Sequence, residues 1–358
     1  MLGVDCWKSD YDLSLKLYDQ AAKSAYCISD FTSMDNCMKI IVKNAKSILH
    51  TVGIVSLKIK HFNDVRKFQD ALDTAMCILE KIGENTNYAQ SEAMLITDVN
   101  RAKELVQEKS LDEISKMKEM NDKYKLATMA ILSEILSSLF FINPQLYFRI
   151  SLRMVFLTFE YGVCKFSALG FSALGSALCS KGSSMMDSFP YQVGKLSILF
   201  LENIYVKELA PWVYGCFYGS VHPFHASIHD SIDRYLDIFR INLEIGCHMG
   251  TTLSASTYCA YAFLGGKNLE KLKCDIDEFD ERLTFKTKPH LAIHQAIINL
   301  LGLDEKGNSL ALLSGKVFLY QNLVDDRTVP VFELARIFIT CCMVRLIKLV
   351  YFVSLDMS

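Results

Sequence analysis

Between Phe31 and Ile82 the chain repeats its own apolar pattern at a fixed offset of 78 − 41 = 37 residues. Ile41 and Val42 recur as Ile78 and Leu79, Phe31 and Met34 as Phe68 and Ala71, Met38 as Ala75, and Ala45 as Ile82. An offset of roughly 34 to 40 residues, with small and apolar positions at helical spacing, is the signature of stacked helix-turn-helix units. One such unit cannot bury its apolar stripe alone, so neighbours must stack. The expected fold class is therefore all-α, with stacked helical hairpins forming a tetratricopeptide-like solenoid or superhelix. Arrays of this kind usually bind or transmit and do not catalyse.

Composition agrees with helix. Only 6 prolines and 17 glycines occur in 358 residues, too few for an antiparallel protein that turns every ten residues, while 51% apolar content supplies a full core. The formal net charge of −2, from 38 basic and 40 acidic residues, leaves no electrostatic footprint for nucleic acid or an anionic membrane. The 12 cysteines include no C-x-x-C pair and are scattered along apolar stretches, with one adjacent pair at Cys341-Cys342. Such cysteines read as reduced core residues of an intracellular, cytoplasmic protein. The opening residues lack the basic and apolar regions of a secretory signal. The best candidate for a membrane span, Val329 to Val353, carries Glu333, Arg336, Arg345 and Lys348, so an amphipathic core-facing helix is expected and membrane insertion is not.

Three regions follow from the pattern. Residues 1–83 hold the repeat pair, with helix breaks expected near Ser29-Asp30, Thr51 to Gly53 and His61 to Asp64. Residues 84–125 form a polar connector with short helices, in which Ser110-Leu-Asp-Glu113 fits a capping box and predicts a helix from about Leu111 to Met120. Residues 126–358 form an apolar helical array continuing the solenoid, punctuated by Pro144, Pro190, Pro211, Pro223, Pro289 and Pro330, each expected in a first helical turn.

Candidate chemistry is sparse. His222, His225 and His229 fall together, and if Pro223 starts a helix then His225 and His229 lie one turn apart on one face, a spacing used by metal ligands, with Asp230 or Asp233 able to assist. A polar helix face satisfies the same spacing, and no H-E-x-x-H glutamate is present. His290 and His294 repeat the spacing without a nearby ligand. Leu264-Gly-Gly-Lys267 and Ser180-Lys-Gly-Ser183 lack the frame of a phosphate loop, and no H-R-D, D-F-G or G-x-S-x-G motif occurs. Asp275, Asp277 and Glu278 read as a solvated helix face. No catalytic residue and no cofactor are assigned.

Several short patterns together resemble one known region. They are Trp7 to Ala22, Lys116 to Asp122 with Met120-Asn-Asp122, Phe159-Glu-Tyr-Gly162 followed by Ser167-Ala168 and Gly175, Gly194-Lys-Leu-x-x-Leu199, Pro223 to Gly246, and Gln295 to Gly302 with Leu313-Ser-Gly315. The chain resembles the tetratricopeptide-like helical region of very large signalling proteins that combine a serine/threonine-kinase-like domain, an AAA-type ATPase, a GAF sensor domain and often a histidine-kinase core. Where that family has Gly-Asp, this chain has Gly246-Cys247. The resemblance implies a segment of a longer protein whose ATP-binding and phosphotransfer residues lie elsewhere.

The expectation is thus a non-catalytic helical scaffold of a multi-domain sensor kinase/ATPase, coupling domains or binding a protein or peptide partner in signal transduction. Two rival readings stay open. One is a ligand- or metal-binding enzyme domain using the His225/His229 region. The other is a peripheral membrane or partner-docking role for the final helix through Phe338, Val344 and Tyr351.

Overall fold

A helix starts where a side chain accepts a bond from its orphan N–H groups, and this chain supplies such acceptors repeatedly. Asp10, Asp30, Ser91, Asp122, Asn143 and Asn268 each accept a backbone N–H of the helix that follows. The computed structural model describes residues 6–88, 91–110, 113–114, 116–180, 188–283, 294 and 297. The fold is all-α: α1 (Cys6–Ser9), α2 (Tyr11–Cys27), α3 (Phe31–Asn44), α4 (Val52–Asp64), α5 (Phe68–Lys81), α6 (Glu92–Gln107), α7 (Lys123–Ile142), α8 (Pro144–Tyr161), α9 (Ser167–Ser180), α10 (Phe189–Asn203), α11 (Ala210–Ser220), α12 (His229–Glu244), α13 (His248–Leu264) and α14 (Leu269–Arg282). Short 3₁₀ turns occupy Ile48–Thr51 and His222–Phe224. Among the described residues there is no strand, and no helix is long and apolar enough to cross a membrane. The chain divides into two units, Met1–Phe171 and Ser172–Ser358.

In the first unit the sequence repeat is also a structural repeat. Asp10 caps α2, and Ser47, at 47 − 10 = 37 residues further on, caps the 3₁₀ turn that runs into α4. α2 ends at Cys27 and α4 at Asp64, while α3 starts at Phe31 and α5 at Phe68, again 68 − 31 = 37 apart. The corners between them are hydrogen-bonded alike. Ser29 N donates to Tyr26 O at 3.0 Å and Asp30 N to Ala25 O at 2.8 Å; Arg66 N donates to Asn63 O at 3.0 Å and Lys67 N to Phe62 O at 2.8 Å. This is the Schellman arrangement, and it places Ser29 at φ 62° and Arg66 at φ 58° in the left-handed region.

Equivalent positions are also buried alike. Ser14 and Thr51, Ala22 and Ile59, Met34 and Ala71, and Ile41 and Ile78 all lie inside. Ile54 of the second hairpin joins Ala22, Ala25, Met34 and Ile41 of the first in one cluster, so the hairpins share a core. Val42 and Leu79 part company. Val42 is 51% exposed and Leu79 is 0%, because α5 has α7 packed against it.

Three expected boundaries move. The break placed at Thr51 to Gly53 lies at Ala45 to Ser47, because Gly53 sits inside α4, where a Cβ would meet Asp19 Oδ1 at an ordinary 3.5 Å. The break placed at His61 to Asp64 lies at Val65 to Lys67. The capping box at Ser110 forms as expected, with Ser110 N donating to Glu113 Oε2 at 2.7 Å and Glu113 N to Ser110 Oγ at 3.2 Å, but the helix does not reach Met120. Instead the backbone extends and pairs once with Gly162-Val163: Val163 N donates to Lys118 O and Met120 N to Val163 O, each at 2.8 Å. Gly162, at φ 112°, permits this approach, since a Cβ there would lie 2.9 Å from Glu119 C.

α7 and α8 then form a long apolar hairpin turned at Asn143-Pro144, with Pro144 in the first turn of α8. Asn63 fastens α4 to α7: its Nδ2 donates to Glu134 O at 2.9 Å and Ser138 Oγ donates to its Oδ1.

The second unit reuses the same corner with glycine. Gly246 (φ 70°) ends α12, with Cys247 N donating to Asn242 O at 2.9 Å, and Gly266 (φ 75°) ends α13, with Lys267 N donating to Ala262 O at 2.9 Å. Tyr235, Phe239, Tyr258, Cys259, Ile276 and Phe279 form the core these corners close. Pro190 and Pro211 sit in the first turns of α10 and α11, whereas Pro223 opens only the short 3₁₀ turn. Pro289 and Pro330, the Gln295 to Gly302 and Leu313 to Gly315 patterns, Cys341-Cys342 and the Val329 to Val353 helix lie outside the described residues, apart from Ile297.

Candidate functional site

Local backbone geometry removes the premise that Pro223 starts a helix carrying both His225 and His229. The 3₁₀ turn begun by Pro223 ends at Phe224, and α12 starts only at His229, so His225 and His229 do not share a helix face. His229 is exposed at the first turn of α12, as are Asp230 and Asp233 on the same helix. His225 is half-buried with its ring 4.9 Å from that of Tyr191. His222 is buried among Phe217 (5.5 Å) and Tyr218 (5.4 Å), with Nδ1 3.4 Å from Ser231 Oγ. Burial pushes the His222 pKa below the usual histidine value, as expected of a neutral ring in an aromatic nest. Among the described residues no three His, Cys, Asp or Glu side chains gather as metal ligands.

His290 lies outside the described residues. His294 stands beside two carboxylates, Nδ1 3.5 Å from Asp280 and Nε2 3.6 Å from Asp277. Of the three acidic residues read as a solvated face, two are on one: Asp277 pairs with Lys273 and Glu278 with Arg282 along the helix. Asp275 turns inward. It accepts from Tyr258 Oη at 2.6 Å and from Lys267 Nζ at 2.7 Å, and Lys267 Nζ lies 2.5 Å from the Tyr258 oxygen. Burial, with Asp275 beside it, pushes the Tyr258 pKa up to about 12, so the phenol stays protonated. The Gly265-Gly266-Lys267 stretch is thereby explained as the end of α13 followed by a lysine that ties α13 to α14.

The most constrained polar cluster is one that no motif announced, and it lies in the first unit. Glu84 follows the corner at Gly83, its N–H bonded to Leu79 O at 2.9 Å, and its side chain is only 1% exposed. An ion removed from water to that degree must be compensated by partners. Arg153 Nε of α8 donates to one oxygen at 2.5 Å and Lys125 Nζ of α7 to the other at 3.2 Å. Tyr88 sits close by with its hydroxyl buried and, among the described residues, without a hydrogen-bond partner, and burial pushes its pKa well above that of free tyrosine. Further out, Glu160 lies 3.8 Å from both Arg153 Nη1 and Arg101 Nη2, and the Arg101 guanidinium rests 4.9 Å above the Phe156 ring.

This cluster holds no activated nucleophile. Arg153 and Lys125 balance Glu84 and draw the end of α5 to α7 and α8, while Arg101 and Arg153 meet Glu160 only at 3.8 Å. Sequence reasoning missed it because Glu84 is 41 residues from Lys125 and 69 from Arg153, so it looked like the first residue of a polar connector. No family model, no curated protein and no solved structure matches the chain.

Proposed function

We propose that the chain is a non-catalytic helical scaffold built from stacked hairpins, which presents helix faces to a protein or peptide partner or couples neighbouring domains. The observation that carries this reading is the corner repeated at 37-residue spacing, with its backbone hydrogen bonds, left-handed residue and flanking core positions such as Met34 and Ala71 in register at 66 − 29 = 37. Repetition of that precision serves stacking, where each unit contacts its neighbours and leaves continuous surfaces. The buried or partly buried carboxylates Glu84 and Asp275 support it too, since each is engaged by internal cations.

The setting is an intracellular multi-domain sensor kinase/ATPase, on the strength of the short sequence patterns at Lys116 to Asp122 and Phe159 to Gly175. Two of these patterns touch at the Glu119–Val163 bridge, which gives the glycine of the second a physical reason. Reduced cysteines accord with a cytoplasmic location: no disulfide joins the described cysteines.

The test is direct. The purified chain should neither hydrolyse ATP nor transfer phosphate, and the transcript that carries it should encode kinase and ATPase motifs. ATP turnover that co-purifies with the chain through successive columns would refute the reading.

A further inference from the structure

We propose that Arg101 and Arg153 form a clamp for a phosphate monoester, with Glu160 as an internal, displaceable occupant. The proposal stands apart from the scaffold reading and does not rest on it.

Both guanidiniums are held before any ligand arrives. The Arg101 guanidinium carbon lies 4.9 Å from the centre of the Phe156 ring, and Arg153 is fixed at Nε by the buried Glu84 at 2.5 Å. Their outward ends are not used in the same way. Arg153 Nη1 and Arg101 Nη2 reach only Glu160, each at 3.8 Å, well beyond the roughly 2.7–2.9 Å of a charge-assisted hydrogen bond. Among the described residues neither terminal N–H set makes a hydrogen bond. Glu160 is 39% exposed and Arg101 59%, so an ion pair at this spacing is weak and open to solvent.

Charge decides the ligand class. With Glu160 swung into solvent its charge is screened but not removed, so Arg101, Arg153 and Lys125 against Glu84 and Glu160 give a local sum between 3 − 2 = +1 and 3 − 1 = +2. A phosphate monoester carries about −1.5 to −2 at neutral pH and meets the whole of that range, whereas a carboxylate meets only its lower end. Arginine forks also suit the several acceptor oxygens of phosphate. Such a group is carried either by a free phosphorylated molecule or by a phosphorylated protein segment.

Calorimetric titration of the full chain at pH 7 with inorganic phosphate, and separately with a phosphoserine hexapeptide, tests the clamp. Arg101→Gln, at an exposed site, should keep the unfolding midpoint and lose affinity by at least about tenfold. Glu160→Gln should tighten binding by about two- to fivefold, because the competitor loses its charge. Binding of inorganic phosphate with these variant effects supports a free phosphorylated ligand, and binding of the peptide alone supports a protein-borne phosphate. Failure of both probes to bind, an Arg101→Gln variant that binds as well as wild type, or a Glu160→Gln variant that binds more weakly overturns the clamp.

Discussion

Ser29, Arg66 and Gly83 occupy the same point of three helix ends, and only the last is a residue that adopts a left-handed backbone without strain. Placing a side chain there costs about 1 kcal/mol. Gly83→Ala should therefore lower stability by about 1 kcal/mol although nothing lies within 4 Å of the added Cβ, and Arg66→Gly should raise it by a similar or smaller amount in urea unfolding. Glu84 is a different kind of residue. Neutralising it strands Arg153, so Glu84→Gln should cost about 3–5 kcal/mol, and the double variant Glu84→Gln/Arg153→Met should recover much of the loss. Glu134 faces Lys60 and Asp64 on α4 and Lys165 beyond α8, and burial pushes its pKa up to about 7. A carboxyl whose folded pKa is raised contributes stability that is complete below about 4.5 and lost as the pH rises through about 7. Glu134→Gln should thus gain on wild type progressively between those pH values, measured by denaturant midpoints. An unchanged difference across that range would count against a buried Glu134.

At the scale of the element, the offset of the repeat was legible because only a few positions, among them Ile41 and Ile78, must be apolar to close a hairpin. What the sequence hid is where context overrides pattern. Gly53 reads as a break but lies inside α4, since a neighbouring 3₁₀ turn capped by Ser47 already starts the helix. Pro223 reads as a helix start but opens a turn that is not continued, which separates His225 from His229. The Glu84 cluster could not be read at all, because its members meet only after α5, α7 and α8 have folded together. Val42 and Leu79 match in sequence and differ in environment, and this is measurable. Ile41→Ala, Ile78→Ala and Leu79→Ala should each cost about 2–5 kcal/mol, while Val42→Ala should stay within about 0.5 kcal/mol. Equal losses at Val42 and Leu79 would show that the two hairpins are packed more alike than described here.

Over the whole molecule, the same helix corner recurs in both units, at Ser29 and Arg66 in one and at Gly246 and Gly266 in the other. The buried polar side chains between these corners are mostly hydroxyls returned to their own helix, as at Thr251, Thr252, Ser254 and Ser256 of α13. Such groups are satisfied locally. If the chain is the scaffold proposed above, its specificity comes from which faces it exposes, and the near balance of 38 basic and 40 acidic residues favours partners met through shape and local charge over those drawn by a long-range field. The measurement that bears most directly on this account is residue-resolved amide hydrogen exchange across Asp10 to Lys81. It should show one protection profile twice at a 37-residue offset, with the Asp30 and Lys67 amides protected to a similar degree at the two corners. Protection confined to one hairpin, or a profile without that offset, would contradict it.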